Sequence, residues 1–371
     1  MNDKTSREKQ NMEHEILPDG YSDESSEIAS LSYRQLIWRR FRKSRMGIIS
    51  ATILIFFYII AVFADFFAPY HYNDIKMHFR HVPPQRVRFS IEYGFHVYDL
   101  KSVRNPETLE LEFTSDPNRT YPVQLFYQDQ NGKRHLIGSA GPMFVLGTDR
   151  MGRDLLSRII YGGRVSMTVG LFGVFISLIL GSILGTASGY FGGSVDICIQ
   201  RLIEVLLAFP TIPLWMALGA ALPPGLHPIV VFFGITVILA LVGWGNLARQ
   251  VRGKVLAYRE QEFVMAAQAA GGNHWHIITR HLLPGSYSHI IVIATLSIPG
   301  MIIGETTLSF LGLGIRPPMT SWGVLLEEAQ RVTVLLHYPW LIFPAIPVLS
   351  VVVSFNFLGD ALRDATDPYS D

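Results

Sequence analysis

Cysteine is nearly absent from this 371-residue chain: Cys198 is the only one. A single thiol excludes an internal disulfide framework and any metal site built from several cysteines. Charge is scarce as well. Asp, Glu, Lys and Arg make up 16% of the residues, where soluble domains carry nearer a quarter. A net charge of +1 gives no global electrostatic reason to bind nucleic acid. Also missing are a G-x-x-x-x-G-K-[ST] phosphate loop, an H-E-x-x-H pair and a G-x-S-x-G elbow, so no ATP hydrolysis is expected from this chain alone. The polar first 30 residues lack the apolar core of a cleavable signal peptide, and none is expected. What the chain has in excess is apolar: 49% hydrophobic residues and a mean hydropathy of +0.28. That composition indicates an integral membrane protein.

Residues 1–30 hold eight acidic side chains against three basic ones and few apolar residues, the mark of a disordered tail. Arg34, Arg39, Arg40, Arg42, Lys43 and Arg45 follow with no acid among them. Such a run is also read as nucleic-acid targeting. Here it abuts an uncharged, nearly all-apolar stretch, 47–64, close to the ~20 residues a bilayer span needs. The positive-inside rule then puts the N-terminus in the cytoplasm and makes 31–70 a basic segment plus a first span.

Residues 71–145 have another character. Val87, Phe89, Ile91 and Tyr93 alternate with polar neighbours, the period of a half-buried strand. Leu109, Leu111 and Phe113 repeat the pattern against Thr108, Glu110 and Glu112. Val123, Leu125 and Tyr127 do so again, and Asn131-Gly132 is a turn signal. A small β-rich insert on the outer side is expected. Residues 146–371 should form the membrane core. Thr148 or Asp149 is placed to cap a short helix punctuated by Gly152 and Gly162. No charge occurs over 165–195, a second span, in which Gly170, Gly173, Gly181, Gly185 and Gly189 recur at spacings that allow close helix approach in lipid. Pro223-Pro224-Gly225 splits the uncharged stretch 205–248 into a third and a fourth span. A basic polar loop (249–281), a fifth span (about 288–313) and a sixth (about 339–358) complete an all-α, six-helix membrane protein with both ends in the cytoplasm.

Glu204 and Glu305 are the acids nearest the membrane interior, and such acids are functional candidates. Asp149 and Asp154 could be read as paired carboxylates, but Arg150 and Arg153 between them fit a paired structural turn better. His274, His276 and His281 do not share one helical face, so no metal site is assigned. No residue is assigned to catalysis or to a cofactor.

The stretch 260–284 is a polar, helix-forming interruption between apolar segments. Gln261 to Ala270 are good helix formers, Gly271 and Gly272 break them, and Asn273 caps a second run expected to end at Pro284. An alanine-faced hairpin of this kind fits a groove in a partner protein. It equally fits an ordinary interfacial amphipathic loop, and the residues alone do not choose.

Residues 262–284 resemble the EAA loop of ABC-importer permeases: Ala266, Ala267, Gly271, Leu283 and Pro284 fall on its pattern at the right spacing. Met265 replaces the pattern's glutamate and His281 its isoleucine, departures similar to those of the peptide-importer branch, where Glu262-Phe263-Val264 and Arg280-His281 stand in. The stretches 38–70, 146–166 (LGTDRMGRDLLSRIIYGGRVS), 308–323 (LSFLGLGIRPPMTSWG) and 359–368 (GDALRDATDP) are similar to the second permease subunit of oligopeptide, dipeptide and nickel importers. The resemblance implies a heterodimer with a like permease, two cytoplasmic ATPases that use ATP and bind the EAA loops, and an extracytoplasmic peptide-binding protein. Glu262, Ala266, Ala267, Gly271, Leu283 and Pro284 would then shape the coupling loop. Gly147, Asp149, Gly152, Arg153, Asp154 and Arg158 would carry the subunit's signature before the second span. Met265 puts a salt bridge at its position in doubt. The insert exceeds the short connection expected from the family, and covers the pore mouth, meets the binding protein or serves as a spacer.

ATP-driven import of peptides is the function implied. Import of nickel complexes or peptide-like antibiotics by the same architecture is the alternative, and a membrane-bound sensor or enzyme is the alternative of another class.

Overall fold

The computed structural model describes residues 32–367, apart from 105, 107–110, 130 and 131. The expected acidic tail, Thr108, Leu109, Glu110, Asn131 and Pro368 therefore lie outside the described residues.

The basic segment forms α1 (Tyr33–Lys43) and the first apolar run forms α2 (Arg45–Val62), followed by the short α3 (Ala64–Phe67). Ser44 separates α1 from α2 and caps the latter, its hydroxyl accepting from the Gly47 N–H. The insert is an antiparallel meander of β1 (Arg88–Ser90), β2 (Gly94–Arg104), β3 (Leu111–Gln128) and β4 (Arg134–Ser139). The alternation through Tyr93 over-reads β1: residues 91–93 form the turn into β2, with Gly94 at φ +62° and Ser90 paired to Gly94. The two further strands expected are one long strand, β3, whose pairing with β2 shifts register at Tyr98/Asp99.

The second span is α4 (Leu155–Phe191), longer than the uncharged run that predicts it. Asp154, rather than Thr148 or Asp149, is its N-cap, with its carboxylate accepting from the Ser157 N–H at 2.7 Å. Gly162 does not punctuate this helix; it lies inside it, packed against Ser321 and Trp322. The third span is bent rather than straight. α5 (Gly193–Ala208) and α6 (Thr211–Ala220) meet at 86°, because Pro210 has no N–H to give and holds Phe209 extended.

After the expected break, with Gly225 at φ +83°, α7 runs over Pro228–Arg259. Arg249, Arg252, Lys254 and Arg259 thus belong to the end of this helix and not to a loop. α8 (Glu262–Ala269), α9 (His274–Ile277) and a π-helical turn (Ile278–Leu282) lead into α10 (Leu283–Phe310). Pro284 does not end the second helical run. It sits in the first turn of α10, where a missing N–H costs nothing, and His274–Phe310 is one continuous span. α11 (Trp322–Glu328), α12 (Val332–His337) and α13 (Ala345–Thr366) complete the chain. Among the described residues five helices are long and apolar enough to cross a bilayer, six if α5 and α6 count as one bent span.

The glycine pattern of α4 explains its packing. A Cβ on Gly185 would stand 2.4 Å from the Ala248 carbonyl of α7, on Gly181 2.6 Å from Leu247, and on Gly189 2.9 Å from the Arg252 carbonyl. Gly170 bears on Ile302 of α10 in the same way, at 2.7 Å. In lipid no hydrophobic force drives helices together, so backbone approach through small residues supplies the attraction. Met167, Leu239, Ile302, Trp322 and Val351 fill the core around these contacts.

Gly185→Val should therefore destabilise the purified protein by roughly 1–3 kcal/mol through overpacking, read as a lowered melting temperature in detergent. Gly300→Ala, whose Cβ would meet nothing within 4 Å, should leave it unchanged. Equal stability of the valine variant would contradict this helix contact.

Candidate functional site

The hairpin 260–284 is built by helix-capping chemistry. α8 ends in a Schellman motif: the Gly272 N–H donates to the Ala267 carbonyl and the Gly271 N–H to the Gln268 carbonyl, both at 3.0 Å. The two glycines serve for different reasons. Gly271 has φ +80°, while a Cβ on Gly272 would lie 2.8 Å from the Ala267 oxygen. The Asn273 side chain then caps α9, accepting from the His276 N–H at 2.7 Å.

One face of the hairpin is clamped to the core. Val264, Ile277 and Leu282 are fully buried against Val251 and Val255 of α7, Tyr190 of α4 and Ile290 of α10. The other face is open. Glu262, Ala266, Gly271 and Pro284 are exposed, and Ala267 and Leu283 half-buried. Phe263, Met265 and Trp275 stand out between them, with Trp275 74% exposed. Phe263 and Met265 are marked in the sequence only through the family resemblance and Trp275 not at all, although a tryptophan in a polar loop is a signal. His274 is engaged by the Tyr190 hydroxyl at 2.9 Å, while the rings of His276 and His281 lie 5.7 Å apart. Among the described residues no group of metal-ligating side chains comes together.

The signature turn lies at the opposite, sheet-bearing end of the bundle. Gly147 (φ +80°) and Gly152 (φ +73°) bring it against the segment leaving α3: a Cβ on Gly152 would fall 1.9 Å from the Lys76 carbonyl oxygen. Asp149 is fully buried. It accepts from the Arg153 Nε at 2.7 Å, the Arg158 guanidinium, and the Met151 and Arg153 N–H groups. Burial would raise its carboxyl, but the Arg158 and Arg153 charges and the two N–H groups outweigh it and hold it below the usual range. The expected pairing of Arg150 does not occur. Its backbone N–H meets Glu328, and Arg158, one helical turn into α4, takes the place at Asp149. Among the described residues Asp154 has no arginine partner. Burial pushes its carboxyl up to about 6, against the opposing Ser157 hydroxyl and N–H.

Of the two intramembrane acids, Glu204 is exposed and pairs with Arg201 at 2.8 Å, one turn away on α5. Glu305 on α10 is wholly buried. Its oxygens accept from the hydroxyls of Ser166 on α4 (2.7 Å) and Ser309 (2.8 Å). Ser166 in turn accepts from the Trp322 N–H at 3.1 Å, and Ser309 from the Ile315 N–H at 3.0 Å. Glu305 thus joins α4, α10 and the loop bearing α11.

Asp154 yields a pH prediction. An unfolded aspartate titrates near ~3.9, so its raised folded value favours the protonated form. That contribution is present below about pH 4 and lost as pH rises through about 6. Asp154→Asn keeps the cap acceptor without the charge. It should raise stability at neutral pH by on the order of 2 kcal/mol and flatten the dependence between these values, read as melting temperature against pH. An unchanged pH profile would contradict the buried, unpaired setting of this carboxyl.

Comparison with known proteins adds identity to this geometry. The family described as "Binding-protein-dependent transport system inner membrane component" matches residues 173–369, and the "N-terminal TM domain of oligopeptide transport permease C" matches 32–84. The dipeptide transport system permease protein DppC of Bacillus subtilis (strain 168) is 31% identical over 370 residues, covering 97% of this chain and 96% of the relative. DppC of Alkalihalophilus pseudofirmus is 40% identical over 243 residues, 65% of this chain and 77% of its own length. The oligopeptide transport system permease protein OppC of Haemophilus influenzae is 42% identical over 224 residues, 60% and 69% of the two chains. With its apolar spans, its glycine-packed core and these matches, the chain belongs to the binding-protein-dependent inner-membrane permeases of ABC importers.

Proposed function

We propose that this chain is one of two homologous permease subunits of a peptide importer, and that the hairpin 260–284 receives the work of ATP hydrolysis from a partner ATPase. The observation that carries this reading is the two-sided hairpin. Val264, Ile277 and Leu282 fix it to α4, α7 and α10, while Phe263, Met265 and Trp275 stay exposed beside it. An apolar face on a rigid helical projection suits insertion into a groove. Met265 brings no charge, so contact there is by packing. Glu262 lies in the first turn of α8, where an acid complements the helix dipole. Ala266 and Ala267 keep the seating surface low, Gly271 sets the turn, and Leu283 and Pro284 start the helix that carries motion inward.

The work acts on rigid pieces. The same α7 that ends at the hairpin is locked to α4 by glycines, so a push on the hairpin tilts the pair. Gly147, Asp149, Gly152, Arg153, Asp154 and Arg158 hold the far end as a stiff corner, and Glu305 links α4 to α10 and the outer loop as a gate. Closure of two ATPase subunits moves the pore only if their contact energy differs between its inward-open and outward-open states. The basic residues of α1 support a cytoplasmic N-terminus, and with six spans the hairpin and the C-terminus would share that side. The sheet faces outward, toward an extracytoplasmic binding protein. The relatives named for dipeptide, oligopeptide and glutathione transport support peptides as cargo.

Gly271→Val places a β-branched residue at positive φ, at a local cost of roughly 1–3 kcal/mol. ATP-dependent peptide uptake into proteoliposomes should fall about tenfold or more as the hairpin angle is lost, for a seating defect of that size. Membrane insertion should persist, and Gly253→Ala, whose Cβ would meet nothing within 4 Å, should transport normally. Normal uptake by the valine variant would overturn the coupling role.

A further inference from the structure

Near the sheet-bearing end, α2, α4 and the start of α13 enclose a cavity of about 360 Å³ between membrane-spanning helices. Every side chain lining it is apolar, among them Phe57 of α2, Met167 of α4 and Phe343 before α13. Its inner wall is the Trp322 indole, 1% exposed, which meets the Phe57 ring edge-on at 6.4 Å. The indole N–H is already given to the Ile159 carbonyl at 3.0 Å. No polar group is left to hold a water there, and apolar cavities of this kind stay dry and take apolar guests. Ile346 on α13, 60% exposed, is the most exposed of the lining side chains and is taken as the mouth.

We infer that this cavity is a binding site for one acyl chain of a membrane lipid, drawn from the leaflet at the sheet-bearing end. Three observations commit it to that occupant. Most of the wall belongs to α2, α4 and the segment leading into α13, which are long and apolar enough to span a bilayer, so hydrocarbon is the medium expected at the mouth. The lining offers no polar partner to a peptide backbone, which suits a stretch of alkyl chain better than a protein segment. An empty space would leave the walls without dispersion partners, which a chain restores.

The site is placed to matter. Trp322 donates its backbone N–H to Ser166, which bonds Glu305, so the chain rests against the wall of the buried carboxyl network. A lipid seated there braces the loop carrying α11 against α4.

The test uses the complete transporter in proteoliposomes containing phosphatidylglycerol with a diazirine midway along one acyl chain. After illumination, adducts should concentrate on Phe57, Met167, Trp322 and Phe343, above those at Ile55 and Ile183, which are 59% and 62% exposed on α2 and α4. Ala61→Leu, which grows into the cavity, and Ile346→Trp, which blocks its mouth, should each cut the cavity adducts about fivefold, an effect of modest free energy. Labelling at Ile55 and Ile183 should not change. Ile346 is exposed, so its variant leaves the fold intact even where Ala61→Leu does not. Cavity adducts no more frequent than those at Ile55, or unaffected by blocking the mouth, would overturn the assignment. So would cross-links from a photoreactive residue at position 346 to the second permease, which would show a protein side chain in the site.

Discussion

The contact on which this structure depends is the close crossing of α4 and α7. Gly181, Gly185 and Gly189 lie a helical turn apart and let the Ala248 and Arg252 carbonyls approach where any side chain would collide. Hydrocarbon gives helices no reason to associate through apolar area alone, so packing at this distance supplies the cohesion. The bidentate pair of Arg252 with Asp196 closes the same crossing at the hairpin end, at 2.6 Å, and draws in α5. A glycine-poor α4 would leave α7, and everything hung on it, without a fixed frame.

Two polar structures sit at opposite ends of that frame, and each is stable for its own reason. The hairpin relies on capping: a Schellman turn, an asparagine cap and three buried apolar residues. The signature turn relies on a buried carboxylate held by two guanidiniums, an arrangement in which removing one partner is far costlier than the pair is stabilising. Between them, Glu305 accepts from the hydroxyls of Ser166 and Ser309, which hold the carboxyl between α4 and α10.

Much of this was legible in the sequence. The apolar runs mark the spans because bilayer thickness sets their length. The glycine spacing marks the α4 face, and the alternating residues mark the sheet. The misreadings concern where helices begin, end and bend, which composition and periodicity fix less firmly than the spans themselves. Thr148 and Asp149 qualify as caps by residue type, but the helix starts only at Leu155 and the role falls to Asp154. Pro284 reads as a helix end, yet a proline in a first turn loses no bond, so α9 and α10 join through the π turn. Phe209-Pro210 bends a span that apolarity alone shows as straight. The cavity beside Trp322 arises from three-dimensional arrangement and has no local signature, whereas Trp275 in a polar loop is a signal the sequence carries.

If the hairpin and the α4–α7 pair move as one body, a distance between them should not change while the importer works. Spin labels at Gln268→Cys and Ile183→Cys, with Cys198→Ser removing the native thiol, report that distance by pulsed electron resonance in the assembled transporter. The account predicts the same distance without nucleotide and with trapped ATP. A shift on the order of one helical turn, ~5 Å, would mean that the hairpin swings on its own and would contradict it.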